Sequence, residues 1–190
     1  MAGLGGYRVV PARVVAVAQR QDDAHRVTVD AGTRDGVRPE MTVLDGDGLV
    51  GRVLRAGPTT ADVLLVTDPD FSVGVRLERT GRIGVATGAG DDPMHLNLLD
   101  AQTDVQPGAR LVTLGSEGDR PFVPGVPVGE VRSVQISPGT LSRSGTVAPF
   151  VDPGTLDLVG VVVQAPRTDP RDAVLPPKPT KTATSTPGTP

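Results

Sequence analysis

The chain has no cysteine and no tryptophan, and only one tyrosine, three phenylalanines and two histidines in 190 residues. Without cysteine there can be no disulfide and no thiolate metal ligand, and the redox compartment leaves no mark on the sequence. With aromatics at 2%, any core must be assembled from Val, Leu, Ile and Ala, and the β-branched members of that set pack best on a pleated sheet. Lysine occurs only at Lys178 and Lys181, so arginine supplies the rest of the 19 cationic side chains. Those arginines are interleaved with acids under a net charge of −3. No basic stripe is available to release counterions from phosphates, which excludes nucleic acid as an expected partner. No apolar run is long enough to cross a bilayer. The leader at 1–6 is too short for a signal peptide, so the chain as given reads as soluble, unanchored and disordered at its start.

What is abundant is punctuation. The 24 glycines and 19 prolines predict tight turns rather than long helices, and no apolar pattern of helical period persists. Strands are expected at 8–18, where Pro11 favours an edge or a bulge, and at 26–30, where Val27 and Val29 share one face. Further strands are expected at 41–44 and 49–55, flanking the hairpin signal Asp45-Gly46-Asp47-Gly48, and at 63–67 and 73–77 on either side of Asp68-Pro69. A second set is expected at 83–86, 94–99, 110–114, 126–136, 145–150 and 156–163. One strand and turn per ten or so residues is the spacing of an all-β barrel or sandwich.

An internal echo accompanies this spacing. The run Gly36-Val37-Arg38-Pro39-Glu40-Met41-Thr42-Val43, leading to Gly51-Arg52-Val53, is similar to Asp104-Val105-Gln106-Pro107-Gly108-Ala109-Arg110-Leu111, leading to Gly129-Glu130-Val131. Two related small barrels in tandem would account for it, as would chance likeness of Gly/Val-rich hairpins. The expected domains are a first barrel over 7–82, to which late strands within 143–165 are free to return, and a second over 83–165. From 166 to 190 the chain is dense in Pro and Thr and should be a disordered tail. Within it, 175–179 could act as a proline-rich ligand, although a solvated tail is the simpler reading.

Few residues could carry chemistry. His25 follows Asp22 and Asp23, which suggests a divalent-cation site, but no further ligand has suitable spacing and a surface turn explains them. His95 belongs to the polar face of an alternating strand. Ser116 sits in a Gly-rich loop but has Glu117 beside it, an anionic neighbour where a hydrolase would need an oxyanion hole. The glycines of 84–90 lack a following lysine and helix, so a loop joining two barrels is expected there rather than a phosphate cradle. Asp68 and Asp70 flank Pro69 and should cap backbone groups in a turn. No catalytic, cofactor-binding or metal-binding residue is therefore assigned. Val50, Arg52, Leu65 and Phe122 serve as readily in packing or turns as in contacts.

Five ordered segments carry a family resemblance: Val29 through Val37, Gly48 through Val53, Val63 through Pro69, Val105 through Thr113, and Val123 through Val131. Together they resemble the extracytoplasmic region of MreC, the rod shape-determining protein of bacteria, across 7–163. The resemblance implies two β-barrels arranged like the chymotrypsin fold without its catalytic residues, and a non-enzymatic scaffold of the cell-elongation machinery on the outer face of the membrane. It implies binding to a class B penicillin-binding transpeptidase, action with MreD, MreB and a SEDS glycosyltransferase, and regulation of peptidoglycan synthesis. It also implies a transmembrane helix and a dimerising coiled coil, neither of which this sequence carries, while the Pro/Thr tail is extra. Docking is expected by strand addition at an open sheet edge, or in apolar grooves between barrels. The competing readings are a serine hydrolase on the same double barrel and a periplasmic adaptor, the latter requiring long helical hairpins.

Overall fold

In the computed structural model, which describes residues 6–19, 25–100, 105–136 and 143–176, the chain forms twelve strands and three single-turn 3₁₀ helices. There is no α-helix among the described residues. The strands are β1 (Arg8–Gln19), β2 (His25–Val29), β3 (Thr42–Leu44), β4 (Leu49–Ala56), β5 (Ala61–Leu65), β6 (Ser72–Leu77), β7 (Ile83–Thr87), β8 (Met94–Leu98), β9 (Arg110–Thr113), β10 (Pro127–Ile136), β11 (Arg143–Pro149) and β12 (Leu158–Gln164). Each falls on an expected segment, and alternation decides which side chains go inward. In β8, Met94, Leu96 and Leu98 are buried while His95 and Asn97 face water.

All neighbouring pairs are antiparallel, and the strands close into two barrels ordered β1-β12-β3-β4-β5-β2 and β10-β11-β8-β7-β6-β9. Closure corrects one expectation at once: neither barrel offers an open edge, so strand addition has no template among the described strands. The expected boundary also moves. The expected first barrel of 7–82 includes β6, but β6 pairs with β7 and β9 of the second. Residues 66–71 make the crossing, so the boundary precedes β6. β12 pairs with β1 and β3, closing the first barrel from the far end of the chain.

These two placements are one event seen twice. Hydrogen bonds that flank β3–β4 recur around β9–β10: Glu40 N–H to the Val53 carbonyl (2.9 Å) matches Gly108 N–H to Val131 (2.8 Å), and Val53 to Met41 (2.9 Å) matches Val131 to Ala109 (2.8 Å). Glu40 (φ 59°) and Gly108 (φ 88°) hold the same left-handed turn. A bulge follows Val53 in one strand and Val131 in the other. The crossings match as well, since Asp68 accepts from the Asp70 N–H and Asp152 from the Gly154 N–H, both at 2.9 Å. After each crossing comes Val-Gly-Val, at Val73–Val75 in β6 and Val159–Val161 in β12. The chain is thus two six-strand repeats, β1–β6 and β7–β12, and each repeat places its sixth strand in the other's barrel.

Valine and leucine fill the barrels, and the scarce aromatics stand outside the strands. Tyr7 precedes β1, Phe71 and Phe150 lie on the two crossings, and Phe122 is in the β9–β10 loop. Phe71 and Phe122 meet edge to face with ring centroids 5.4 Å apart, a favourable arrangement for aromatic quadrupoles. Tyr7, 5% exposed, donates its hydroxyl to the Pro124 carbonyl at 2.8 Å. Burial and then the charge of Asp169 push its phenol well above the usual range.

The expected tail forms no strand or helix among its described residues. Residues 166–176 lie on the second barrel, while the stretch from 177 on, with most of the expected 175–179 ligand, is outside the described residues. The leader at 1–5 lies outside them too.

The exchange predicts that the intact chain unfolds in one transition, followed by circular dichroism and amide hydrogen exchange together. Two separate transitions would contradict the interlock. Gly51→Ala would set a methyl 1.9 Å from the Leu64 carbonyl oxygen of the neighbouring strand. It should destabilise the chain by about 1–3 kcal/mol in denaturant melts.

Candidate functional site

The junction of the barrels is where catalytic residues would have to meet on this architecture. His25 opens β2 and its Nδ1 lies 2.8 Å from Thr67 Oγ1 on the first crossing. Its Nε2 is 3.9 Å from Asp91 Oδ1, and an opening of about 450 Å³ lies alongside, bordered by Gly90–Pro93 and the second crossing. Hydroxyl, imidazole and carboxylate therefore occur in triad order, but with burial inverted. Thr67 is 9% exposed, and the Asp91 side chain is fully in solvent, whereas acyl transfer needs an accessible nucleophile and a sheltered carboxylate. Neither histidine is hydrogen-bonded to a serine among the described residues. His95 faces outward from β8, and Ser116 gives its backbone N–H to the Phe122 carbonyl at 2.9 Å within the β9–β10 loop.

Other candidates resolve into structure. Asp22 and Asp23 lie outside the described residues. The glycines of 84–90 sit in β7 and just after it rather than in a loop joining the barrels: a Cβ on Gly88 would meet the Asp68 carbonyl oxygen at 2.1 Å. The constraint is contact between a strand end and the first crossing. Asp68 and Asp70 form the expected turn. Val50, Leu65 and Phe122 are buried, and Arg52 is paired with Glu40.

Two surfaces remain. The first is a groove of about 390 Å³ lined by Tyr7, Val9, Pro11, Leu44, the start of the Asp45-Gly46 turn and Leu158–Gly160. Leu158 at its rim is 61% exposed, and Val15 and Val17 of the same barrel also face solvent. The groove exists because β12 brings its own residues between β1 and β3. Periodicity alone could not place β12 there.

The second surface is charged. Arg76 of β6 holds the Asp169 carboxylate with both guanidinium nitrogens, at 2.8 and 3.1 Å, and its side chain is 11% exposed. Asp172 accepts from the Arg79 N–H at 2.8 Å. Arg110 of β9 binds Glu78 at 2.7 Å and donates to the Pro176 carbonyl. Val174 inserts beside Tyr7, Val126 and Pro127. No sequence signal linked these residues, since Arg76 and Asp169 are 93 positions apart. Burial opposes the charge on Asp169, but the Arg76 hydrogen bonds, the Arg171 N–H and the two guanidinium charges outweigh it, so its carboxyl sits below the ordinary value.

A carboxyl whose pKa is lower in the folded state adds stability above the ordinary value and loses it on acidification. The contact of 166–176 with the barrel should therefore persist at neutral pH and weaken as pH falls below 3.8. NMR titration of the Arg79 and Arg171 amides would show this. Asp169→Ala, which leaves a mostly buried guanidinium short of a partner, should cost about 1–2 kcal/mol and remove that acid step from the titration.

Comparison with known proteins gives a consistent result. The family model described as "Rod shape-determining protein MreC, barrel core" matches residues 14–163. The cell shape-determining protein MreC of Cereibacter sphaeroides is 34% identical over 142 residues, covering 68% of this chain and 47% of the relative. The chain thus spans about half the length of that curated relative. Among solved structures, MreC from Pseudomonas aeruginosa superposes with a TM-score of 0.73 at 30% identity, covering 82% of this chain and 99% of that one. A Helicobacter pylori structure described as a complex between Penicillin-Binding Protein (PBP2) and MreC shares the fold, with a TM-score of 0.65 at 13% identity and coverage of 83% and 98%.

Proposed function

The chain belongs to the MreC family, a structural and non-enzymatic family named for cell shape, and from that premise we propose that it is a scaffold of the cell-elongation machinery. It acts at the extracytoplasmic face of the cell membrane and regulates peptidoglycan synthesis by binding a class B penicillin-binding transpeptidase. The observation that carries this reading is the family match across nearly the whole double barrel, joined to a junction in which burial of the hydroxyl and carboxylate is the reverse of what hydrolysis needs. The H. pylori complex supports a penicillin-binding partner for that relative. MreD, MreB, a SEDS glycosyltransferase and a second copy of the chain are the further partners that membership suggests.

Binding without turnover is enough for regulation. A scaffold that prefers one of two arrangements of a transpeptidase shifts it toward that arrangement by its difference in affinity. Closure of both barrels rules out edge addition to the described strands, so docking falls to side-chain surfaces. The groove beside Leu158 is the apolar surface best suited to it, since contiguous exposed apolar area is what interfaces bury at their centres.

Calorimetry with the extracytoplasmic domain of the same organism's elongation transpeptidase tests the reading. Saturable binding at micromolar affinity or tighter is expected, and tighter binding when a coiled coil fused upstream makes the chain bivalent. Leu158→Asp, at a position already 61% exposed, should leave the fold intact and weaken binding about tenfold. Absence of binding in both monomeric and dimerised forms would overturn the transpeptidase reading.

A further inference from the structure

The two repeats differ in what covers one equivalent face. In the first barrel that face is formed by β12 and β3, with Val162 and Thr42 at its centre. The β9–β10 loop covers it: Thr42 Oγ1 donates to the Pro121 carbonyl at 2.9 Å and accepts from the Val123 N–H at 3.0 Å, and the loop borders Val162. The repeat alignment pairs Val162 with Arg76 and Thr42 with Arg110, so the matching face of the second barrel is formed by β6 and β9. The loop that should cover it is the β3–β4 connection, which is only the Asp45–Gly48 turn. Residues 166–176 lie there instead, held by Arg76 and Arg110.

We propose that this face of the second barrel is a docking surface for an extended segment of a partner protein that carries two carboxylates three residues apart and an aliphatic side chain just beyond them, and that residues 166–176 occupy it in cis. The cis occupant displays the chemistry the surface accepts: a carboxylate for the Arg76 fork, a second carboxylate three residues later for the Arg79 N–H, and an aliphatic side chain two residues beyond, beside Tyr7 and Pro127. A bidentate arginine–carboxylate contact supplies geometry as well as charge. The occupant pairs with no strand and lies beyond the second repeat, after the end of β12, so it can leave without opening either barrel. This goes beyond the scaffold reading, because it concerns the β6–β9 face, which meets the Leu158 groove only at Tyr7, Leu44 and the Asp45-Gly46 turn, and holds for whichever protein carries the segment.

The test uses the full chain and a fluorescein-labelled peptide of residues 166–176, read by fluorescence polarisation. The double variant D169N/D172N, with its own segment loosened, should bind the peptide at least tenfold more tightly than the wild type. Adding Arg76→Gln should abolish that gain, and Arg76→Lys, which keeps the charge but loses the fork, should lie between. In the peptide-bound double variant the Arg79 amide should return to its wild-type NMR position, which also verifies folding. Equal peptide affinity of wild type and double variant would overturn the proposal, as would a folded Arg76→Gln variant that binds undiminished. A concentration-dependent wild-type dimer, abolished by D169N/D172N in sedimentation, would overturn it in favour of exchange between copies.

Discussion

A barrel one strand short exposes two rows of unpaired backbone groups and opens its lumen to water, and both barrels here would be one strand short if built from a single repeat. β1–β5 leave a gap filled by β12, and β7–β11 leave one filled by β6. Unpaired backbone groups are costly when buried, and an open edge invites association with other chains. Completing one barrel therefore requires the other repeat to be in place. The remaining features of the molecule follow from this dependence. It sets the course of the two Asp-Pro crossings, gathers the aromatics between the barrels, and brings Gly88 against the Asp68 carbonyl.

The exchange also answers the difficulty posed by composition. Two small barrels lined by Val and Leu have modest interiors, and small domains bury a smaller share of their surface than large ones. Interlocking turns two marginal cores into one body. The large rings would overfill a narrow lumen, and they stand where the barrels meet. Tyr7, Phe71 and Phe122 are each 5% exposed or less, so these rings are as dry as the barrel interiors. A rigid body of this kind suits a scaffold, whose docking faces must keep fixed positions relative to one another.

Local patterns in the sequence carry most of the architecture. Alternation of β-branched residues and Gly-Asp-Pro turns located all twelve strands, because both depend on a few neighbouring residues. The family segments named the double barrel, and the echo at 36–53 and 104–131 marked the repeat. What local pattern could not carry was strand order. β6 follows β5 closely, which favours the first barrel, yet nothing in Ser72–Leu77 itself says which barrel it closes. The docked segment was missed for a related reason. Its composition resembles a solvated tail, and its anchors, Arg76 and Arg110, are distant in sequence and unremarkable among many arginines. The His25–Thr67 contact was equally hidden, being an accident of how the first crossing passes β2.

Divergence between the repeats is concentrated where strands end, and its chemistry differs in kind. The first barrel's face presents Val162 and Met41, 4% and 6% exposed beneath the β9–β10 loop. Uncovering it would return apolar area to water, so that cover is part of the fold. The second barrel's face presents guanidinium groups, which water solvates well. Uncovering it returns both the guanidinium and the carboxylate to water, and the hydration they regain offsets much of the attraction lost, so the net cost is smaller. Such a cover can be reversible. The same duplicated face thus serves as a permanent seam in one barrel and an exchangeable contact in the other, and the difference comes from Val162 against Arg76 and Thr42 against Arg110.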